Sequence, residues 1–277
     1  MLVNPQFVAE PSIKVSLSAD KTPGLMSWQT TLIERTRPTV FGDMAVLQTS
    51  VVQSIQSTRT AIITESEGIN KLLYDSVPLW IDNFDIVYTH SSRILDIYPE
   101  KARFKPGGAF LIGSNFAPGH LGVLPKSKLC SLLTSSKQMC PMHHFRLQVA
   151  KRLEGSGVDV TISDVYGNAF DHLEKYYFSI CIENFLDKAY FTERILNCFA
   201  TGTIPIYMGA SHIENFFDKC GIYTFRSFEE LNLILKKISS NDYYFRLPSV
   251  IENFYRVQRY STIEDYIVSN YGLTAFG

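Results

Sequence analysis

An α/β fold built on parallel strands is what the sequence predicts, and three observations carry that expectation. Residues 176–182 (YYFSICI) form a nearly unbroken apolar run bounded by charge, as a strand buried on both faces requires. Thr192 then opens a segment whose Ile195, Leu196, Phe199 and Ala200 fall on one helical face, with Gly202 as its stop. Residues 203–208 (TIPIYM) follow as a second short strand, and strand, helix, strand make a βαβ unit. Pro205 donates no ladder bond, so this last strand is expected to pair imperfectly or to end its sheet.

The alternation extends along the chain. Residues 13–17 read as a possible first strand, 45–55 as a helix, and 60–63 (TAII) and 84–89 (FDIVYT) as strands. Residues 104–119 are rich in Gly and Pro and read as loop. Residues 127–135 then read as a strand, 143–153 as a helix and 158–162 as a strand, with a turn at Tyr166, Gly167 and Asn168. After the central unit come a short helix at 211–217, a brief strand at 223–225, and a helix at 228–238 capped by Ser227. Residues 250–271 are aromatic and periodic, which suits a helix packing back toward the start of the chain. The expected organisation is a first domain over 1–125, a second over 126–250 and a helical tail over 251–277.

Composition narrows the function. A chain of 277 residues, 45% hydrophobic and 19% charged, can bury two modest cores. Its net charge of −1 gives no electrostatic case for nucleic acid or an anionic membrane as partner. No apolar run is long enough to span a bilayer and the first residues lack a signal-peptide pattern, so a soluble cytoplasmic protein without a transmembrane segment is expected. The five cysteines show no C-x-x-C spacing and are expected to be free, buried thiols. Oligomeric state is not legible.

The chemistry gathers where the first strand of the βαβ unit ends and its helix begins, a rim at which open α/β sheets bind ligands. Glu183, Asn184, Tyr190, Thr192, Glu193 and Arg194 lie there. A helix N-terminus attracts phosphate, Arg194 adds a bidentate cation, Glu193 can accept from sugar or ribose hydroxyls, and Tyr190 can flank a base or sugar. Asn184 suits a ribose or base contact. Glu183 reads equally as a substrate contact and as a structural partner for a neighbouring helix end. His143, His144 and Arg146 fall in the first turn of another expected helix, where cations are unfavourable unless an anion is near; a bound diphosphate or a solvated basic face would each account for them.

The pattern E-N-x5-Y-x-T-E-[KR], met here as Glu183, Asn184, Tyr190, Thr192, Glu193 and Arg194, and the G-T-[IV]-P-[IV] strand of residues 202–206 resemble the donor-binding signature of the fucosyltransferases of glycosyltransferase family ten. Arg194 stands where that family usually has lysine. The resemblance implies a GT-B fold, two Rossmann-like domains facing a cleft, and an inverting transfer of a sugar, fucose from GDP-fucose, to a hydroxyl of a glycan acceptor. It assigns the phosphate-binding arginine to Arg146, with His143 or His144 as alternatives. It also places the general base on an acidic loop after a strand of the first domain, where Glu65 matches and Glu67 stands in place of a proline. His90, at the end of the next strand, either sees substrate or is a structural hydrogen-bonder. With neither D-x-D nor H-E-x-x-H present, metal ligands and cofactors are not expected, the nucleotide-sugar being a co-substrate. The alternative is a nucleotide-sugar-binding protein without catalysis.

Overall fold

Short apolar strands, each followed by a turn or helix, assemble into two parallel sheets. The computed structural model describes residues 5–8, 25–26, 34–110, 122–164, 169–272 and 274–276. The strand expected at 13–17, the turn at Tyr166, Gly167 and Asn168, and most of the Gly/Pro-rich stretch after residue 110 lie outside them. The chain divides into two compact units, Met1–Ala109 with Arg259–Gly277, and Phe110–Gln258.

In the first unit β1 (Gln6–Val8), β2 (Thr39–Gly42), β3 (Arg59–Ile62), β4 (Ile86–Thr89) and β5 (Ala102–Phe104) lie in sequence order, every pair parallel. The helices α1 (Thr49–Ser54), α2 (Lys71–Asp75), α3 (Val77–Trp80) and α4 (Ser92–Ile97) connect them. The single helix expected over 45–55 is broken at Gln48 (ψ 62°) into a 3-10 turn, Asp43–Leu47, and α1. Val46, Val52 and Ile55 nevertheless reach one core with Phe41, Trp80 and Phe84.

In the second unit β6 (Lys128–Thr134), β7 (Asp159–Ile162), β8 (Tyr176–Ile182), β9 (Ile204–Met208) and β10 (Tyr223–Thr224) take the order β10-β9-β8-β6-β7, again all parallel. The helices are α5 (Pro141–Arg152), α6 (Ala169–Leu173), α7 (Glu193–Ala200), α8 (Phe228–Leu235), α9 (Ser240–Phe245) and α10 (Leu247–Val257). The expectation for Pro205 is corrected: β9 is an interior strand, in unbroken register with β8 from Ile204 to Met208. The Met208 carbonyl accepts from Glu183 while the Tyr207 carbonyl accepts from Phe225, so alternate residues face β8 and β10. Pro205 falls on the β10 side, before the first β9–β10 pair at Ile206, where no partner needs its N–H.

α7 ends as expected at Gly202, whose φ of +65° is the left-handed stop. Gly202 N–H donates to the Phe199 carbonyl (3.1 Å) and Thr203 N–H to that of Cys198 (2.8 Å). A Cβ here would lie 2.7 Å from the Val123 backbone, so glycine is required twice over. Lys126 closes the same end, its ammonium donating to the Thr201 carbonyl (2.6 Å), the Glu174 carbonyl (2.9 Å) and Thr203 Oγ1 (3.1 Å). These contacts tie the segment before residue 126 to the second unit, which begins earlier than the expected boundary at 126.

The tail also divides differently. α10 stays with the second unit, where Asn253 accepts from Asp218 N–H (2.7 Å) and donates to its carbonyl (2.9 Å). The chain returns to the first unit at Arg259, and α11 (Ile263–Tyr271) places Ile263, Ile267 and Val268 in one core with Val40, Ile62 and Tyr88. Cys130, Cys140, Cys181 and Cys198 are buried and free as expected, whereas Cys220 is exposed in the 3-10 turn Lys219–Gly221. Among the described residues no helix is long and apolar enough to cross a membrane.

Candidate functional site

β8 delivers Glu183 to the carboxyl end of its sheet and α7 begins there. Glu183 is wholly buried and takes both of the donors that Thr192 offers, its N–H at 2.9 Å and its hydroxyl at 2.7 Å. Thr192 Oγ1 in turn accepts from Arg194 N–H (3.4 Å) as the helix cap. Glu183 therefore holds the cap that orients the start of α7, the structural role weighed for it from sequence. Its neighbour Gly209 must lack a side chain, because a Cβ would lie 2.2 Å from the Tyr207 hydroxyl and 2.6 Å from Glu183 Cγ.

Burial, and then the nearby Glu193, push the Glu183 carboxyl up to about 7, while Arg194 and the Thr192 bonds pull it down. Between its ordinary 4.5 and about 7 the folded chain holds a proton that the unfolded chain has lost, so this group's contribution falls as pH rises through that window. The histidines His90, His143 and His172, all lowered, slope the other way. Urea unfolding of wild type and Glu183→Gln at pH 5 and pH 8 separates them. The variant is expected to lack a decline of up to about 3 kcal/mol that wild type carries, and identical pH profiles would show that Glu183 does not titrate there.

Arg146 sits on α5 with 1% of its surface exposed, and Nε, Nη1 and Nη2 find no hydrogen-bond partner among the described residues. Burial, and then the positive Arg194, lower it to about 10, whereas Glu183, Cys140 and Glu193 favour its charge. The two guanidinium groups thus share one place. His143 joins them: burial followed by Arg146, Arg194, Lys137 and His144 depresses its ring to about 4, so it is neutral at pH 7. Its Nδ1 accepts from Met139 N–H (3.1 Å), which leaves the proton on Nε2 as a donor. His144 is exposed.

The Asn184 carbonyl accepts from Cys140 Sγ (3.3 Å), pinning the β8–α7 loop to the start of α5. Asn184 Oδ1 is buried without a partner among the described residues. Tyr190 is buried at 3% exposure and offers little ring for stacking. Buried guanidinium nitrogens, a neutral imidazole donor and a capped helix start all await acceptors, and a phosphate or diphosphate supplies them. Among the described residues no group of three or more His, Cys, Asp or Glu is placed to hold a metal ion.

The first unit carries the other candidates. Glu65 is exposed just beyond β3, with its N–H (3.0 Å) and that of Thr64 (2.7 Å) both donated to Asp43 Oδ1. The Tyr74 hydroxyl donates to the Glu65 carbonyl (2.7 Å) and lies 3.1 Å from His90 Nε2. Since the Tyr74 proton points at Glu65, His90 is the donor of that second bond. His90 is buried, and burial followed by Lys105 holds it well below its usual range. It supports the loop, as the hydrogen-bonder weighed from sequence. Glu67 pairs with Arg93 at 3.2 Å. Sequence reasoning missed Asp43, Tyr74 and Lys105; the one signal for Asp43 was its place directly after an apolar strand, like that of Glu65.

The family described as Glycosyltransferase family 10 (fucosyltransferase) C-term matches residues 125–269. The alpha-(1,3)-fucosyltransferase FucT of Helicobacter pylori is 30% identical over 79 residues, which cover 27% of this chain and only 16% of that protein. Solved structures share the fold. An alpha1,3-fucosyltransferase with GDP has a TM-score of 0.51 at 16% identity, covering 86% of this chain and 82% of its own. The same kind of enzyme with GDP-fucose has 0.51 at 15%, covering 85% and 79%. TarM has 0.55 at 10%, covering 86% and 54%. These likenesses agree with the GT-B class that the family resemblance implies and with the two parallel α/β sheets. The family match takes in more than half of the chain, which belongs to glycosyltransferase family 10.

Proposed function

We propose that this chain is an inverting glycosyltransferase that moves a sugar from a nucleoside-diphosphate donor, GDP-fucose in the reading we favour, to a hydroxyl of a glycan acceptor. The observation that carries the donor half is Arg146, a buried guanidinium whose nitrogens lack acceptors, beside Arg194 and the start of α7. The choice of GDP-fucose is supported by relatives whose structures hold GDP and GDP-fucose.

In this reading the Glu65 carboxylate removes the proton from the acceptor hydroxyl as its oxygen bonds to the anomeric carbon. The bond from that carbon to the diphosphate oxygen breaks, and its electron pair leaves with the nucleotide. Arg146, Arg194 and the N–H groups opening α7 stabilise the charge that develops on the diphosphate. Neutral His143 can donate without adding to the positive charge. Asn184 Oδ1 is the acceptor left for a ribose or base donor, and Glu183 acts through Thr192 rather than by touching the donor.

Calorimetric titration with GDP, UDP and dTDP tests the donor, with GDP expected to bind tightest; binding of none of them would refute the proposal. A transfer assay with GDP-fucose separates an enzyme from a binding protein that lacks turnover. With two arginines in the role of a metal, EDTA is expected to leave the transfer rate unchanged. Complete loss restored by a divalent cation would overturn the metal-free mechanism.

A further inference from the structure

Cys181 lies two residues before Glu183 on β8, so the two side chains leave the same face of the strand, and both meet α7. Glu183 takes Thr192 at the start of the helix. Cys181 Sγ lies 3.3 Å from Cys198 Sγ and donates to the Arg194 carbonyl at 3.5 Å. Arg194 and Cys198 are four apart on α7, where the carbonyl of the first points toward the second, so one sulfur reaches both. With the Cys181 proton on that carbonyl, Cys198 is the donor of the sulfur–sulfur contact.

Both thiols are free, and Cys181 keeps 6% of its surface exposed while Cys198 keeps none. A disulfide needs its sulfurs at about 2 Å, so this pair has roughly 1 Å left to close. Side-chain rotation and a small shift of α7 toward β8 supply that distance. The seam therefore holds two sulfurs near bonding range directly beneath Arg194 and the capped start of the helix.

We propose that Cys181 and Cys198 form an oxidation site, closed to a disulfide by a peroxide, and that closure weakens the diphosphate site at the start of α7. The Cys181 thiolate attacks one oxygen of hydrogen peroxide and the O–O bond breaks. The departing hydroxide takes up the thiol's proton, leaving a sulfenic acid and one water. The Cys198 sulfur then attacks the sulfenic sulfur, the S–O bond breaks, and hydroxide leaves with the Cys198 proton as a second water. Two thiols and one peroxide become one disulfide and two waters. The hydrogen bond with Cys198, and then burial, hold the Cys181 thiol well above its ordinary range, so thiolate is scarce and closure is slow. Closure removes the S–H donated to the Arg194 carbonyl and draws α7 toward β8 while Glu183 still holds Thr192. The inference rests on the reading of Arg194 and the α7 N-terminus as the diphosphate site.

The test is GDP titration of the full chain before and after prolonged exposure to hydrogen peroxide at pH 8, with the product digested and mapped by mass spectrometry. A linked Cys181–Cys198 peptide pair is expected, with GDP affinity lowered by about tenfold or more, since misplacement by about 1 Å at a binding site is costly. Dithiothreitol is expected to restore the affinity. The thermal midpoint of the linked protein is expected to rise, because the new bond closes a loop between residues 17 apart in sequence, and this separates a locked fold from a damaged one. Cys198→Ala keeps every other oxidisable side chain, and its GDP affinity is expected not to respond to peroxide; a response as large as that of wild type overturns the proposal. If Cys198→Ala fails to fold, wild type decides alone: no linked pair, or undiminished GDP affinity in the linked protein, overturns it. Reduced wild type separates the two levels. If it binds no GDP, the diphosphate reading falls and this inference with it, whereas equal binding by the reduced and linked proteins sinks only the role of the thiols.

Discussion

Arg146→Met is expected to raise the thermal midpoint of the ligand-free protein and, in the same variant, to lose GDP affinity by about 10²-fold or more. Both effects have one cause. Burying a guanidinium without acceptors costs several kcal/mol, and an unbranched apolar side chain of similar reach removes that cost. When the diphosphate arrives, the same nitrogens gain charge-assisted bonds, and truncating one partner of such a buried pair costs about 2–5 kcal/mol. Every 1.4 kcal/mol is tenfold in affinity. Arg146→Lys keeps the charge but not the fork, and is expected to bind GDP with intermediate affinity. Differential scanning calorimetry and GDP titration on the three proteins check both halves. Unaltered GDP binding in Arg146→Met would remove the residue from the phosphate site, and a lowered midpoint would mean that the guanidinium is not a burden in the free protein.

Glu65→Gln is expected to lower kcat by about 10²–10⁴ while leaving GDP affinity at the wild-type value. Two contacts that hold the loop run through the Glu65 backbone, from its N–H to Asp43 and from Tyr74 to its carbonyl, and the substitution leaves both in place. Glu65 is exposed, so an isosteric neutral side chain is expected to change stability by less than about 0.5 kcal/mol. Glu67→Gln serves as the control: that carboxylate is engaged by Arg93, and its loss is expected to leave kcat near normal. Should Glu65→Gln turn over at the wild-type rate, or should Glu67→Gln be the inactive variant, the base has been assigned to the wrong carboxylate.

Much of this was legible in the sequence, for reasons that are local. Thr192 as N-cap and Gly202 as stop are read from single side chains, and the structure has both, one by its hydroxyl bond and one by its φ. The strands expected at 84–89, 127–135 and 158–162 appear trimmed by one or two residues and that expected at 60–63 begins and ends one residue earlier, because apolar runs announce themselves while their ends depend on pairing. What failed was also physical. Apolar spacing over 45–55 does not reveal a helix break at Gln48. Pro205 tolerates an interior strand because its missing donor falls where the neighbouring strand has not yet begun.

By itself the sequence determined the class of fold, the family and the rim on which Glu183, Asn184, Thr192, Glu193 and Arg194 gather, since these follow from periodicity, caps and a contiguous motif. Tertiary structure alone decided the rest. It buried the Arg146 guanidinium without acceptors, turned Glu183 inward onto Thr192, and raised the Glu183 carboxyl toward neutrality. It also set Asp43 under the Glu65 loop and returned α11 from the far end of the sequence to the core of the first unit. Charge and hydrogen-bond demand depend on what surrounds a group after folding, and residues far apart in sequence supply those surroundings.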